Sequence, residues 1–450
     1  MKKTFAKVIS LLCLSALLLT GCNAGGSQPP ANAETTSAAA NTTAQEQSTT
    51  APKEKVNLVL WYWQGEMEEL WRNNLLKDFE TPNPDISVKL EIMPWGEYWQ
   101  KVQTSMAAGG FPDVLNMSVA FVDVYAKKNV LTNLHAYIQK DIDMSKYYEK
   151  AFQSVRYPSI DTGEEYGMPW AFAENALFYN KGMFDSAKLA YPDDTWTWDN
   201  VREAAKKLTN ITDKLETTKY GFVSSTDYTF FDSVIYSYGG RIVSEDLSRC
   251  MLNQPEAVAA TQFMVDLVLK DKVSPKPGVL KQGFDSAFQT GIVGMEVSGA
   301  WMLDTMQGAK DFQWGVAPLP KGPKGRFVRA WCDSMTIPAE SKHKDEAWRF
   351  IKFLVSDKGQ TLNNLQSRIP VLKSASTDPN WLQPGKSPVD KKMLLDYLPE
   401  SSPFVFRGGW GEWLGALINE VDPAFAGDKP VKEALDAATK AIDEILAKNK

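Results

Sequence analysis

The sequence predicts an α/β protein of two lobes with a ligand cleft between them. The chain has 450 residues, more than a single hydrophobic core usually serves. From Val56 onward, strand-type and helix-type apolar periodicities alternate along it. That order favours parallel sheets with helical crossovers, and in open parallel sheets ligands sit outside the carboxyl ends of the strands. Apolar content of 44% and charged content of 23% are those of an ordinary globular chain. The formal charge of −6 argues against a nucleic-acid partner, which calls for a basic face.

Each element has its own signal. "VNLVLWYW" reads as a buried strand, and "MEELWRNNLLKDFE" as a helix with Leu70, Trp71, Leu75 and Phe79 on one face. "ISVKLEIM" alternates as a second strand. "YWQKVQTSMAAG" is a helix stopped at Gly109 and Gly110, and "DVLNMS" is a short buried strand that completes a βαβαβ unit. The alternation resumes after "YGMPW" with the strand "NALFYN" and the helix "TWDNVREAAKKLTN", capped by Thr197 or Asp199. The strand "KYGFVSS" and the helix "FFDSVIYSYGG" follow. "PEAVAATQFMVDLVLKD" is a helix with Pro255 in its first turn, and "VGMEVSG" is a buried strand. "SKHKDEAWRFIKFLVSD" starts on a Ser341 cap and buries Ala347, Phe350, Ile351 and Leu354. The last helix, "PVKEALDAATKAIDEIL", repeats that pattern at Val431, Leu435, Ala438 and Ile442.

The first residues stand apart from this body. Lys2, Lys3 and Lys7 precede the apolar run "VISLLCLSALLL", which is too short to span a bilayer as a mature helix. It ends in "LTGC", and this segment resembles a bacterial lipoprotein signal, with lipid on Cys22 and cleavage just before it. Losing residues 1–21 removes three lysines and no acid, so the formal charge moves from −6 to −9. Residues 22–54 hold almost no large apolar side chain and read as a disordered tether, about 30 Å long as a flexible coil. Two acyl chains would hold such a tether firmly at a membrane. Of the remaining cysteines, Cys250 and Cys332 can form a disulfide if the fold brings their Cα atoms within 4.4–6.8 Å. His135 and His343 are the only histidines, and no Cys/His cluster has zinc-ligand spacing. No cofactor is expected.

Aromatic residues recur beside polar ones at strand ends. "WYWQGE" offers Trp63, and "MPWGEYW" offers Trp95. "MPWAFAEN" offers Trp170, Glu174 and Asn175, and "SSTDYTFF" offers Ser225, Asp227 and Tyr228. "VSGAWM" offers Trp301, "RAWCDS" offers Trp331 and Asp333, and "FRGGWGEWLG" offers Arg407, Trp410 and Trp413. A pyranose presents one C–H face that stacks on an aromatic plane and a rim of hydroxyls that bond best to charged partners. Tryptophans rimmed by Asp, Glu, Asn and Arg are what carbohydrate recognition requires. Packing is the competing role for any of them, and Trp71, Trp99 and Trp348 sit at helical spacings that fit a core.

From "LTGC" and "LVLWYW…LLKDFE…PDISVKLEIMPW" through "GGFPDVLNMS", "YGMPWAFAENALFYNKGMFD", "TWTWDNVREAAKKLT", "YGGRIVSED", "GMEVSGAW", "WGVAPLPKGP", "KDEAWRFIKFLVSDKGQ" and "PAFAGDKPVKEALDAATKAI", the chain resembles family 1 of the extracellular solute-binding proteins of ABC sugar importers, the group that includes maltose-binding protein. The resemblance covers nearly everything after the tether. It implies the type II periplasmic-binding-protein-like fold, a hinge of several crossings and a sugar, best an oligosaccharide, held between closing lobes. It implies lobes of residues 55–172 plus 316–370 and 173–315 plus 371–450, with crossings near Phe172–Ala176, Gly315–Pro318 and Arg368–Leu372. The implied partners are a carbohydrate and a membrane permease, for a monomer anchored outside the cytoplasm by its N-terminal lipid. The resemblance implies that the first-strand loop of the site falls on Trp63, Gln64 and Glu66 and the loop after "PDV" on Met117 and Ser118, with Trp301 in "SGAW" the best-matched stacking position. Many members carry Gly-Gly where this chain has Ala330 and Trp331, which adds bulk at that rim.

Two other readings compete. An exported glycoside hydrolase would need two carboxylates about 5–9.5 Å apart, and Glu66, Glu174, Asp227 and Asp333 supply acids near the site loops. A receptor for a non-sugar solute, such as a peptide or a cationic polyamine, would also suit an acidic site.

Overall fold

The described residues of the structure, a computed structural model, are 54–449 except 64, 307, 308, 310, 364–367, 384–390, 400 and 404–406, and for side chains also except 66, 107, 363 and 403. Residues 1–21, read from the sequence as a signal, Cys22 and Gln64 therefore lie outside the described residues, as does the side chain of Glu66.

The main strands are β1 (Val56–Tyr62), β2 (Ile86–Ile92), β3 (Val114–Ser118), β4 (Met168–Asn180), β5 (Met295–Gly299), β6 (Trp314–Ala317), β7 (Arg329–Thr336) and β8 (Ile369–Pro370), beside the two-residue strands Arg156–Tyr157, Glu164–Glu165 and Ser402–Pro403. As the βαβαβ reading requires, β1 pairs in parallel with β2 and with β3. The sheet then continues through antiparallel partners, in the order β8-β4-β7-β3-β1-β2. β4 is long enough to serve two sheets. Its first half, Met168 to Glu174, pairs with β7, while Asn175 to Asn180 pairs with β5 and β6.

β1 is buried on both faces, which explains its near-continuous apolar run. Leu58, Leu60 and Tyr62 point into the main core. Trp61 and Trp63 point the other way, into a cluster with Tyr98, Trp99, Leu115 and Met117. The helix expected behind β1 forms over Glu68–Glu80, but its middle turn, Trp71–Leu75, is π-helical, a widened turn. Trp71 and Leu75 both reach the core there.

The Trp198–Leu208 helix is capped by Thr197, which forms a reciprocal capping box with Asn200. The helix Pro255–Leu269 does begin on its proline, and it packs against the pair Trp410–Ala426 and Val431–Lys448. Three expectations need correction. The strand read as "NALFYN" starts at Met168, because "MPWAFAE" is itself ladder rather than loop. "KYGFVSS" forms only isolated bridges at Lys219 and Tyr220, since Ser224 turns away to donate its N–H to Ser274 Oγ (2.8 Å). Ser341 does not cap the next helix, Lys344–Leu354; its hydroxyl donates to Asp113 Oδ1 (2.8 Å) instead.

One buried ion pair locks the helix Tyr228–Ser237 to β7. Arg329 Nε donates to Asp232 Oδ2 at 2.5 Å, both side chains being almost wholly buried. The guanidinium lies 4.4 Å from the ring centroids of both Tyr236 and Phe327. Removing one partner strands a buried charge, so Asp232→Ala is expected to cost about 3–5 kcal/mol in urea unfolding, and the double change Asp232→Ala, Arg329→Met distinctly less than that. A single change that cost under about 1 kcal/mol would contradict this account.

Candidate functional site

Beyond the carboxyl end of β5 lies a cavity of about 320 Å³. β5 supplies Glu296 and Ser298, two residues apart and so on the same face. The chain then turns at Gly299, where an added Cβ would come within 2.0 Å of the Trp301 ring. Only glycine lets that indole fold back over the strand end. Trp301 Nε1 donates to Asp285 Oδ2 (3.3 Å), and Ser298 Oγ donates to Asp285 Oδ1 (3.0 Å). Across the cavity, Asp227 caps the helix Tyr228–Ser237, its Oδ1 accepting from Thr229 N at 2.9 Å. Ser225 Oγ accepts from Asp227 N (3.1 Å). Ser225, Asp227, Tyr228 and Trp301 thus come together on one cavity, along with Phe284, Asp285 and Glu296, which sequence reasoning missed.

From that cavity a chain of ring contacts runs out to the surface. Trp301 meets Trp331 edge-on (5.5 Å), Trp331 meets Tyr228 (6.0 Å), and Tyr228 meets Trp410 (5.7 Å). Trp410 touches Phe121 (6.0 Å), which lies 4.0 Å from Trp99. Trp99 joins Trp63 and Trp95 at 5.9 and 5.4 Å. Trp95, at the end of this track, is 48% exposed, against 6–8% for Trp63, Trp331 and Trp410.

The other predicted residues whose side chains are described lie in structural contacts. Trp170 is fully buried in the core, edge-on to Tyr62, with Nε1 donating to Asn116 Oδ1 (3.2 Å). Its strand carries it inward, where a loop would have left it at the cleft. Asn175 is also buried; its amide donates to Thr229 O (3.1 Å) and its oxygen accepts from Arg329 N (2.9 Å). Glu174 is 1% exposed in the middle of β4, and burial pushes its carboxyl well above the usual range. Met117 is core and Ser118 caps the helix Val119–Lys127. Asp333 pairs with Arg368. Arg407 donates to the backbone carbonyls of Arg156 and Pro158, and Trp413 Nε1 donates to Arg407 O (3.0 Å). Cys250 and Cys332 are both buried free thiols.

Electrostatically the cavity is one-sided. Burial first, then the neighbouring Asp285 carboxyl and the Asp227 charge, hold the Glu296 carboxyl well above its ordinary range. Burial likewise raises Asp227, with Thr229 opposing and Asp285 adding to the shift. Among the described residues no trio of His, Cys, Asp or Glu is arranged to hold a metal ion.

Comparison with known proteins places the fold. The profile of the bacterial extracellular solute-binding proteins matches residues 64–361. The chain belongs to this family. It is therefore a solute-binding protein and not an enzyme, which removes the hydrolase reading. A putative binding protein of Brucella abortus is 26% identical over 385 residues, 83% of this chain and 89% of that one. The galactooligosaccharide-binding protein of Bacillus subtilis is 26% identical over 72% of this chain and 74% of its own length. Among solved structures, an ABC substrate-binding protein of Listeria monocytogenes in complex with cycloalternan superposes with a TM-score of 0.79 at 25% identity, over 88% of this chain and all of that one. The family's type II two-lobed architecture is thus the fold of this chain.

A carboxyl whose folded pKa lies above its unfolded value of 4.5 holds its proton longer when folded. Folding stability then falls as pH rises from about 4.5 toward the folded value, by about 1.4 kcal/mol for each unit between the two. Glu296→Gln mimics the protonated form. Unliganded E296Q should unfold at a higher temperature than wild type at pH 8 and at nearly the same temperature at pH 4; equal melting curves at both pH values would refute the assignment.

Proposed function

We propose that this protein is the substrate-binding lipoprotein of an ABC importer, and that it captures a carbohydrate, most specifically an oligosaccharide, for a membrane permease. The ring track from Trp301 to Trp95 carries this reading. A single sugar ring needs one platform, while a run of aromatic rings leading from a cavity to an exposed indole suits a chain of several units. Asp227, Asp285 and Glu296 supply charged acceptors for hydroxyls beside the Trp301 face. The relatives named for galactooligosaccharide and cycloalternan support the same class.

The lobes would meet on β4, between Glu174 and Asn175, where its pairing passes from one sheet to the other. Returns by β7 and β8 to the first sheet supply the other crossings. A ligand favours closure about such a hinge only to the extent that it binds the closed state more tightly. Lipid on Cys22 and the tether of residues 22–54 would keep the body at the outer face of the membrane as a monomer.

A thermal-shift screen of the full chain against mono- and oligosaccharides tests this, with the ligand recovered and checked for cleavage. A cognate sugar at 100 times its dissociation constant should add about 2.7 kcal/mol and return intact. In such a screen Trp301→Ala should keep the fold but bind at least about tenfold more weakly, a loss of about 1.4 kcal/mol. A panel in which only monosaccharides bind would refute the oligosaccharide reading, and silence across the panel would refute the carbohydrate one.

A further inference from the structure

The cavity at Trp301 gathers acidic groups with no cation to match them. Three carboxyl groups line it, and among its described lining residues there is no lysine, arginine or histidine. Two of the three are already provided for. Asp227 is held by Thr229, and Asp285 by Ser298 and the Trp301 indole. Glu296 differs. It is 3% exposed, it lines the cavity, and although its carboxyl hydrogen-bonds Asp285, its Oε2 has no hydrogen-bond partner. A buried carboxyl oxygen without a partner is costly, so its position next to a cavity large enough for one sugar ring asks for a donor that arrives with the ligand. A hydroxyl would satisfy one lone pair and leave the Glu296 proton in place. An ammonium group supplies three donors and the opposite charge.

We propose that this cavity is an ammonium subsite, in which a sugar ring stacked on Trp301 turns a protonated amine toward Glu296, Asp285 and Asp227, so that the recognised unit is an amino sugar. The proposal rests on the carbohydrate reading above and sharpens it to a substrate class. The aromatic surround suits the same ligand. Trp301, Tyr228 and Phe284 border the carboxylates, and aromatic faces attract a cation as well as a C–H face. The remaining rings of the track, from Trp331 outward, would take the neutral units of a longer chain.

Calorimetric titration of the full chain at pH 6, where a sugar amine keeps its proton, decides the matter with matched pairs. The probes are glucosamine against glucose, galactosamine against galactose, and the β-1,4-linked glucosamine disaccharide against cellobiose and against its N-acetylated form. At least one free amine should bind tenfold or more tightly than its neutral partners. Glu296→Gln should cut that amine-to-neutral ratio at least tenfold, and Asp285→Asn offers the same readout should E296Q fail to fold. Neutral members binding as well as the amines, or a preference that survives both substitutions, would overturn the ammonium subsite while leaving a sugar receptor in place. Silence from every amine and every neutral sugar would overturn both.

Discussion

One strand holds this molecule together. β4 is buried along its whole length, and its backbone is shared between two sheets. Buried peptide groups must find partners, so neither sheet can be complete without it, and the pairing changes between Glu174 and Asn175. Everything placed about the cleft follows from that change. β7 brings Trp331 and Asp333 beside the first half of β4, while β5 brings Glu296, Ser298 and the Gly299 turn beside the second. The Asn175 amide, standing at the change, ties the strand to Thr229 and to Arg329. The helix that Asp227 caps is held in turn by the Asp232–Arg329 pair.

That arrangement gives a rigid frame and a deliberately uncomfortable cavity. The aromatic track is satisfied by ring-to-ring contact, but the carboxyl groups at its inner end crowd one another, Glu296 hydrogen-bonding Asp285 while its own Oε2 stays without a partner. Discomfort of this sort is what a binding site can release when a complementary ligand enters, because only interactions that differ between the empty and the occupied state shift the balance between open and closed lobes. The same frame explains why several attractive polar and aromatic residues are buried away from the cavity. Trp170, Asn175 and Trp413 are used up holding strands and helices in place.

Much of the fold was legible along the chain. The βαβαβ start, the Gly109 stop, the Thr197 cap and the proline that begins the Pro255–Leu269 helix all come from local rules of period and capping, and all stand in the structure. Trp301, Asp227 and Tyr228 were legible too, because each lies at the end of an element next to a turn. Trp170 was misread because "MPWAFAEN" has the composition of a binding loop, while its fate depended on β7 lying alongside it. Glu296 and Asp285 gave no signal. Asp285 lies in a short helix start, and Glu296 looks in sequence like one acid in an apolar strand.

The sequence by itself determined the elements, their alternation, the acidic surface and the stock of aromatic rings, since those depend on neighbours within a few residues. Only the tertiary structure decided which rings face one another and which carboxyl groups share a cavity. Those outcomes turn on pairs far apart in the chain, such as Phe121 with Trp410 and Asp227 with Asp285. Their meeting is set by the register of β4 against its partners, and no local pattern encodes a register between distant strands.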